Sequence, residues 1–337
     1  MSFLRSIGDL IGFLILTVVS IAESIVKLFI PMKYRMKSIA GEIALVTGGG
    51  GGLGRLIALR LAKLGAIVVI WDVNKIGTEE TVKLVEAIGG TCYGYVCDLC
   101  DREDVYKKAK LVKEEVGKVT ILINNAGVAS GMRFIDTPDK LIIRTMDVNV
   151  MSHFWTTKAF LPSMMESNKG HIVSIASLAG HLGVPRLVDY CTSKFAAIGF
   201  EEALHMELAA RYNINTTVIC PFFIRSTGMF EDVSPRFFPR LSPNEVADRV
   251  VSAMRCNEKI AVVPGYLYIL LVAKWAFPWT VAGMFIRGIV SNTLGCNTTT
   301  TPAPKKEVIP TVLPKKSDTV NIHQQLTKRI SNSERKP

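Results

Sequence analysis

Apolar residues fall along this chain in three rhythms, and each predicts a different kind of element. Residues 10–30 (LIGFLILTVVSIAESIVKLFI) are almost continuously apolar, broken by Glu23 and Lys27. As a helix that run would be roughly 30 Å long, about one hydrocarbon core. Its first half is too short to cross a bilayer and its second half is amphipathic. Three readings follow: a signal anchor, a helix or hairpin lying in one leaflet, and a cleaved signal peptide. Cleavage is disfavoured, because the positive charge (Lys27, Lys33, Arg35, Lys37) follows the apolar run instead of preceding it. That asymmetry would hold the downstream residues on the cytosolic side. A buried core helix is a minor further reading, since the run has nothing obvious to pack on.

From Gly41 the rhythm becomes short Val/Ile-rich runs alternating with amphipathic stretches. Strands are predicted at 43–47, 66–71, 91–97, 119–123, 171–176, 214–220 and 259–263. Helices are predicted at about 53–64, 76–88, 101–116, 138–166, 187–212 and 243–255. Continuous apolar strands buried on both faces and separated by helices mean parallel βαβ units. The expected fold is α/β: a Rossmann-type, doubly wound, seven-stranded parallel sheet in one domain, preceded by a membrane helix. The third rhythm, at 264–290, is apolar but interrupted by Lys274, Pro278 and Arg287, which fits a surface-lying helix pair or a lid better than a spanning helix. The division expected is 1–37 anchor and basic flank, 38–263 Rossmann domain, 264–291 hydrophobic segment, and 292–337 a basic, disordered tail.

Charge and cysteine content change this picture little. The net charge of +11 could suit nucleic acid or an anionic membrane. The cations cluster after the first apolar run and in the tail, and no zinc finger or RNA-binding signature accompanies them, so nucleic acid is excluded as a partner. Seven scattered cysteines read as reduced thiols. Cys97 and Cys100 have metal-ligand spacing, but no second pair or nearby histidine completes a site, and no metal is expected.

The chemistry sits at the ends of the predicted strands. Thr47–Gly54 (TGGGGGLG) joins a strand to a helix. Glycine there permits a tight turn and close backbone approach to a pyrophosphate, which the helix N-terminus attracts. Gly48, Gly52 and Gly54 are the structurally placed glycines, and Gly49 to Gly51 add conformational freedom. Asp72 ends the second strand, where a carboxylate accepts both adenosine ribose hydroxyls and repels a 2′-phosphate. NAD is favoured on that ground, with NADP left open by Arg55 and Lys75. Tyr190 and Lys194 share one helix face, four residues apart, so the ammonium can favour the phenolate. Ser177, just after a strand, can orient the substrate oxygen.

Thr47–Gly54, Asn124-Asn125-Ala126-Gly127, Asn149, Ser177 and Tyr190/Lys194 together resemble the signature set of the short-chain dehydrogenase/reductase family, over about residues 40–263. That resemblance implies an adenine contact at Asp98, and a central strand braced beside the cofactor by Asn124, Ala126 and Gly127. It further implies a water-held proton relay at Asn149 and nicotinamide contacts from the backbone at Pro221 and Ile224. The segment Pro221–Thr227 is one residue longer than the usual form, so Ser226 and Thr227 compete for the carboxamide contact. With Leu53, these complete the expected cofactor set. Longer stretches, such as YCTSKFAAIGF and HFWTTKAFLPSMM, are similar to the membrane-associated retinol and 17β-hydroxysteroid dehydrogenase subgroup. What this implies is NAD-dependent oxidation of a lipophilic alcohol, all-trans-retinol to retinal first, on the cytosolic side of the endoplasmic reticulum or a lipid droplet. Hydroxysteroids and fatty alcohols are the rival substrates, and a non-catalytic lipid-droplet scaffold is the rival from another class. Phe222, Phe223, Met229 and Phe230 are candidate pocket wall, and related folds often form homodimers.

Overall fold

The computed structural model describes residues 2–226, 228–229, 235 and 237–290; Thr227, Phe230 and the tail from 291 lie outside the described residues. Two compact units divide the chain at Cys296, and the described residues all belong to the first.

Seven strands form one parallel sheet: β1 Ile43–Thr47, β2 Ile67–Asp72, β3 Thr91–Val96, β4 Ile121–Asn124, β5 Gly170–Ile175, β6 Ile214–Pro221 and β7 Ile260–Val263. Their spatial order is β3-β2-β1-β4-β5-β6-β7, so the chain reverses direction between β1 and β4. Such a switch point opens a crevice at the carboxyl ends of the strands. The central strands β1, β2, β4 and β5 are buried along almost their whole length, as their unbroken Val/Ile/Leu pattern requires.

The N-terminal residues form α1 (Ser2–Phe29) and a single turn, α2 (Met32–Arg35). Helices α3 (Gly52–Lys63), α4 (Lys75–Ala87) and α9 (Pro243–Arg255) cover one face of the sheet. The other face carries α5 (Arg102–Glu115), α7 (Ser152–Glu166) and α8 (Val188–Leu208), with α6 (Asp139–Met146) leading into α7. Helix starts follow local chemistry. Asn74 accepts the Gly77 N–H and Asp101 accepts those of Glu103 and Asp104, while Pro243 occupies the first turn of α9. Each such side-chain cap contributes about 1 kcal/mol.

The predicted helix over 138–166 is instead three pieces, because a π-helical segment, Asp147–Met151, separates α6 from α7. A π-turn inserts an extra residue into the ladder and re-aims the side chains around it. After β7 come α10 (Tyr268–Ala276) and α11 (Trp279–Val290), broken at Pro278. Their inner residues Leu270, Leu271, Ala282 and Ile286 are buried, whereas Ile269, Val272, Trp275, Trp279 and Met284 are exposed. From Leu10 to Ile25 the apolar side chains of α1 are likewise mostly exposed. Among the described residues no helix is long and apolar enough to cross a membrane.

Candidate active site

A cavity of about 790 Å³ lies at the carboxyl ends of β1, β4, β5 and β6, as the switch point requires. One end is walled by the glycine loop and the start of α3. Gly48 and Gly52 have φ of 66° and 50°, a region that disfavours side chains. A Cβ on Gly54 would stand 2.1 Å from the Gly48 carbonyl oxygen, so helix and loop touch backbone to backbone. Gly49 and Gly50 turn out to be equally constrained. A Cβ at Gly49 would lie 2.6 Å from Ile70, and one at Gly50 2.9 Å from the Asp72 carboxyl carbon. Only Gly51, of these three, has nothing within 4 Å. The loop is therefore pressed onto β2, and the expected slack is confined to one residue. The open cradle at the N-terminus of α3, which side chains would fill, fits a dinucleotide pyrophosphate.

Asp72 fastens that cradle. Its Oδ2 accepts the Gly50 N–H and its Oδ1 the Asn74 N–H, both at 2.9 Å, and each oxygen keeps a lone pair for a ribose hydroxyl. Arg55 donates to the Gly50 carbonyl, Thr81 and Glu80, and Lys75 pairs with Glu79 on the surface. Neither cation lines the cavity, where Asp72 is flanked by Val73 and Asn74. Asp98 and Leu53 also line it.

The asparagine pair after β4 divides its labour. Asn124 faces away from the cavity and accepts a hydrogen bond from Thr156 of α7 at 2.8 Å. Asn125 lines the cavity and donates to the carbonyls of Thr47 and Gly48. Thr47 is buried behind the loop, where its Oγ1 accepts the N–H groups of Asn125 and Ala126. Thr47 and Asn124 thus brace the site from behind, and Asn125, Ala126 and Gly127 present its surface.

Ser177, Tyr190 and Lys194 meet beyond Gly127. The Tyr190 phenol hydrogen-bonds the Ser177 side chain, and Lys194 Nζ donates to the Ile175 carbonyl at 2.8 Å while lying 5.6 Å from the Tyr190 ring centre. Burial pushes the phenol above its ordinary range, opposed by the Ser177 hydrogen bond. Burial also lowers the Lys194 ammonium to about 8. Asn149, delivered by the π-turn, accepts the Val128 N–H and donates to the Val128 carbonyl and to Ser193 of α8. A methyl added to Gly127 would touch Asn149 Oδ1 and Lys194 Nζ, each at 3.5 Å, so the two converge over that glycine. Gly180 was not singled out from the sequence, yet a Cβ there would strike the Lys194 carbonyl oxygen at 2.7 Å. That contact lets the turn after Ser177 lie against α8.

Such an arrangement suits proton transfer at a carbinol oxygen held between Ser177 and Tyr190, beside a dinucleotide. The sequence of residues 42–236 matches the family model described as short chain dehydrogenase. The chain is a short-chain dehydrogenase. It is an NAD(P)-dependent oxidoreductase acting on CH–OH groups, of the subgroup that holds the 17β-hydroxysteroid and retinol dehydrogenases. It is 46% identical over 272 residues to estradiol 17-beta-dehydrogenase 11 of Macaca fascicularis, covering 80% of this chain and 90% of that one. To epidermal retinol dehydrogenase 2 of Homo sapiens it is 44% identical over 285 residues, with 82% and 91% covered. The fold superposes on a short-chain dehydrogenase/reductase from Burkholderia phymatum in complex with NAD, with a TM-score of 0.65, 26% identity, and 72% and 95% of the chains covered. It also superposes on a metagenomic short-chain oxidoreductase in complex with NADP, with a TM-score of 0.58, 26% identity, and 67% and 97% covered.

The segment after β6 completes the site only in part. Pro221, Phe222, Phe223 and Ile224 line the cavity, with Phe222 also packed edge-on against Phe223 and Phe238. Ser226 is exposed, has φ of 54° and does not line the cavity; the competing contact, Thr227, lies outside the described residues. Met229 does line it. No cluster of potential metal ligands is found among the described residues.

Proposed function

We propose that this chain oxidises the hydroxyl of a lipophilic alcohol with NAD, all-trans-retinol being the leading substrate. The observation that carries this is the position of Ser177 and Tyr190 at the border between the polar cradle and an otherwise apolar cavity wall. Ser177 orients the substrate oxygen and the Tyr190 phenolate takes its proton. The nicotinamide, when bound, supplies the hydride acceptor. Lys194 holds positive charge beside the phenol and, with Asn149, passes the proton outward. Asp72 favours NAD, because a 2′-phosphate would face a carboxylate with Arg55 and Lys75 already engaged.

Membrane association is part of the proposal. The exposed apolar faces of α1, α10 and α11 suit insertion into one leaflet or a droplet surface, with the catalytic domain on the cytosolic side. A hydroxysteroid is the second reading, supported by the name of the Macaca fascicularis relative. The test is turnover of retinol, 17β-hydroxysteroids and long-chain alcohols by the full chain in vesicles with NAD and NADP. Tyr190→Phe should abolish turnover while NAD binding persists. A variant that still turns over, or a wild type inactive on the whole panel, would overturn the reading.

A further inference from the structure

The polar side chains of the cavity fall into two groups. Asp72, Asn74, Asp98, Asn125 and Arg144, whose charge acts on Cys100 together with that of Asp98, stand around the dinucleotide cradle, and Ser177, Tyr190 and Lys194 at the reaction centre. The remaining wall is built by Leu182, Val184, Phe222, Met229, Leu270 and Ile286. These belong to the clusters that flank Ser177 (with Ala176 and Leu178) and Tyr190 (with Leu187). They therefore surround the reacting oxygen on the side away from the glycine loop.

Several backbone N–H groups of this wall are already engaged. The N–H of Leu182 is given to Leu178, that of Val184 to the Cys191 sulfur, that of Leu187 to Val184 and that of Phe222 to Val263. Pro221 has none. Leu270 and Ile286 come from α10 and α11, whose outer faces expose Ile269, Val272, Trp275 and Trp279, so the wall has apolar surface on both sides. A hydroxyl or keto group at the far end of a substrate would lose its water and meet no side-chain donor on these six wall residues. Burying such a group unpaired is unfavourable, whereas an apolar end gains from the same surroundings.

We infer that this site selects single-headed alcohols, meaning substrates whose only hydrogen-bonding group is the reacting hydroxyl, over isosteres with a second oxygen at the distal end. The inference rests on the proposed oxidation of lipophilic alcohols and says which of them the cavity prefers. Retinol and simple long-chain alcohols are of the favoured kind, and diols and distally oxygenated steroids are not.

Matched pairs test it. The full chain in detergent micelles is given NAD with hexadecan-1-ol or hexadecane-1,16-diol, and with 5α-androstan-17β-ol or 5α-androstane-3β,17β-diol. Rates are referred to each alcohol's mole fraction in the micelle, and the linear diol is corrected for its two equivalent ends. The single-headed member should have the higher kcat/KM by roughly tenfold to a hundredfold, the range over which an apolar pocket rejects an added hydroxyl. Leu270→Gln, which puts an amide into the wall, should narrow the ratio; the comparison is made within one protein, so lost folding cancels. A ratio near one in the wild type, a preference for the diols, or an unchanged ratio in Leu270→Gln would overturn the inference. Turnover without discrimination sinks this inference alone, whereas no turnover of any alcohol sinks the proposed function.

Discussion

Replacing Glu201 by glutamine should remove a contribution that falls with rising pH, so that the wild type loses folding stability relative to the variant between about pH 6.5 and pH 8. Glu201 lies on α8 two turns beyond Lys194, sealed against the sheet, where it accepts the Ser174 hydroxyl. Burial pushes its carboxyl from 4.5 up to about 8, opposed by Ser174, the Thr217 backbone and Lys259. His153, on the other side of Ser174, is pushed from 6.5 down to about 3 by burial and by Lys194. Above pH 4.5 the unfolded chain has lost the Glu201 proton and the folded chain keeps it to about 8, so stability falls as pH rises through that interval. His153 has the opposite sign between about 3 and 6.5, because there it is the unfolded chain that binds the proton. Between about 4.5 and 6.5 the two slopes oppose each other; the wild type is compared with Glu201→Gln so that the other groups, His171, Lys194 and Lys37 among them, titrate alike in both proteins. In that difference each pH unit removes about 1.4 kcal/mol, so the window removes about 2 kcal/mol. In a domain of this size that lowers the wild-type Tm relative to the variant by roughly 4–8 °C. Glutamine keeps the shape and an oxygen for Ser174 but cannot titrate. Near-ultraviolet circular dichroism melts at half-unit pH steps follow both proteins. A Tm difference between wild type and Glu201→Gln that stays level over this window would refute the account of Glu201 as a neutral buried acid.

Three further outcomes are expected. Gly54→Ala should abolish coenzyme binding, because its Cβ would overlap the Gly48 carbonyl, whereas Gly51→Ala should leave both Tm and the NAD affinity within about twofold of wild type; calorimetric titration and thermal melts distinguish them. Asp72→Ala removes the acceptor for the Gly50 and Asn74 N–H groups, and should weaken NAD by roughly tenfold or more while NADP changes less; an unchanged preference between the coenzymes would count against the role given to this carboxylate. Trp275→Glu combined with Trp279→Glu, at positions 84% and 68% exposed, should reduce co-sedimentation with phospholipid vesicles without lowering kcat on a short, water-soluble alcohol.

Much of the site was legible because its parts are local. Most strands announce themselves as Val/Ile runs, β3 (TCYGYV) being the exception, and the turn that follows carries the chemistry, so Asp72, Ser177 and the Tyr190/Lys194 pair could be placed from spacing alone. Errors arose where adjacent residues part company. Asn124 and Asn125 are neighbours at a strand end, where side chains alternate between the faces of the sheet, and only the second reaches the cavity. The run 138–166 has helical periodicity throughout, which conceals the π-turn that aims Asn149 at Val128.

What the sequence determined by itself was the order and type of the elements and the residue types at their ends, because hydrophobic period and helix or turn chemistry act over a few residues. What only the tertiary structure decided was which surfaces touch. The crowding of Gly49 and Gly50 against β2 depends on a strand some twenty residues away, as does the engagement of Arg55 by α4. The same holds for the apolar wall, whose members come from the turn after β5, the segment after β6, α10 and α11. Those contacts are set by how the sheet twists and the helices pack over it, and no local pattern encodes the distance between two segments far apart in the chain.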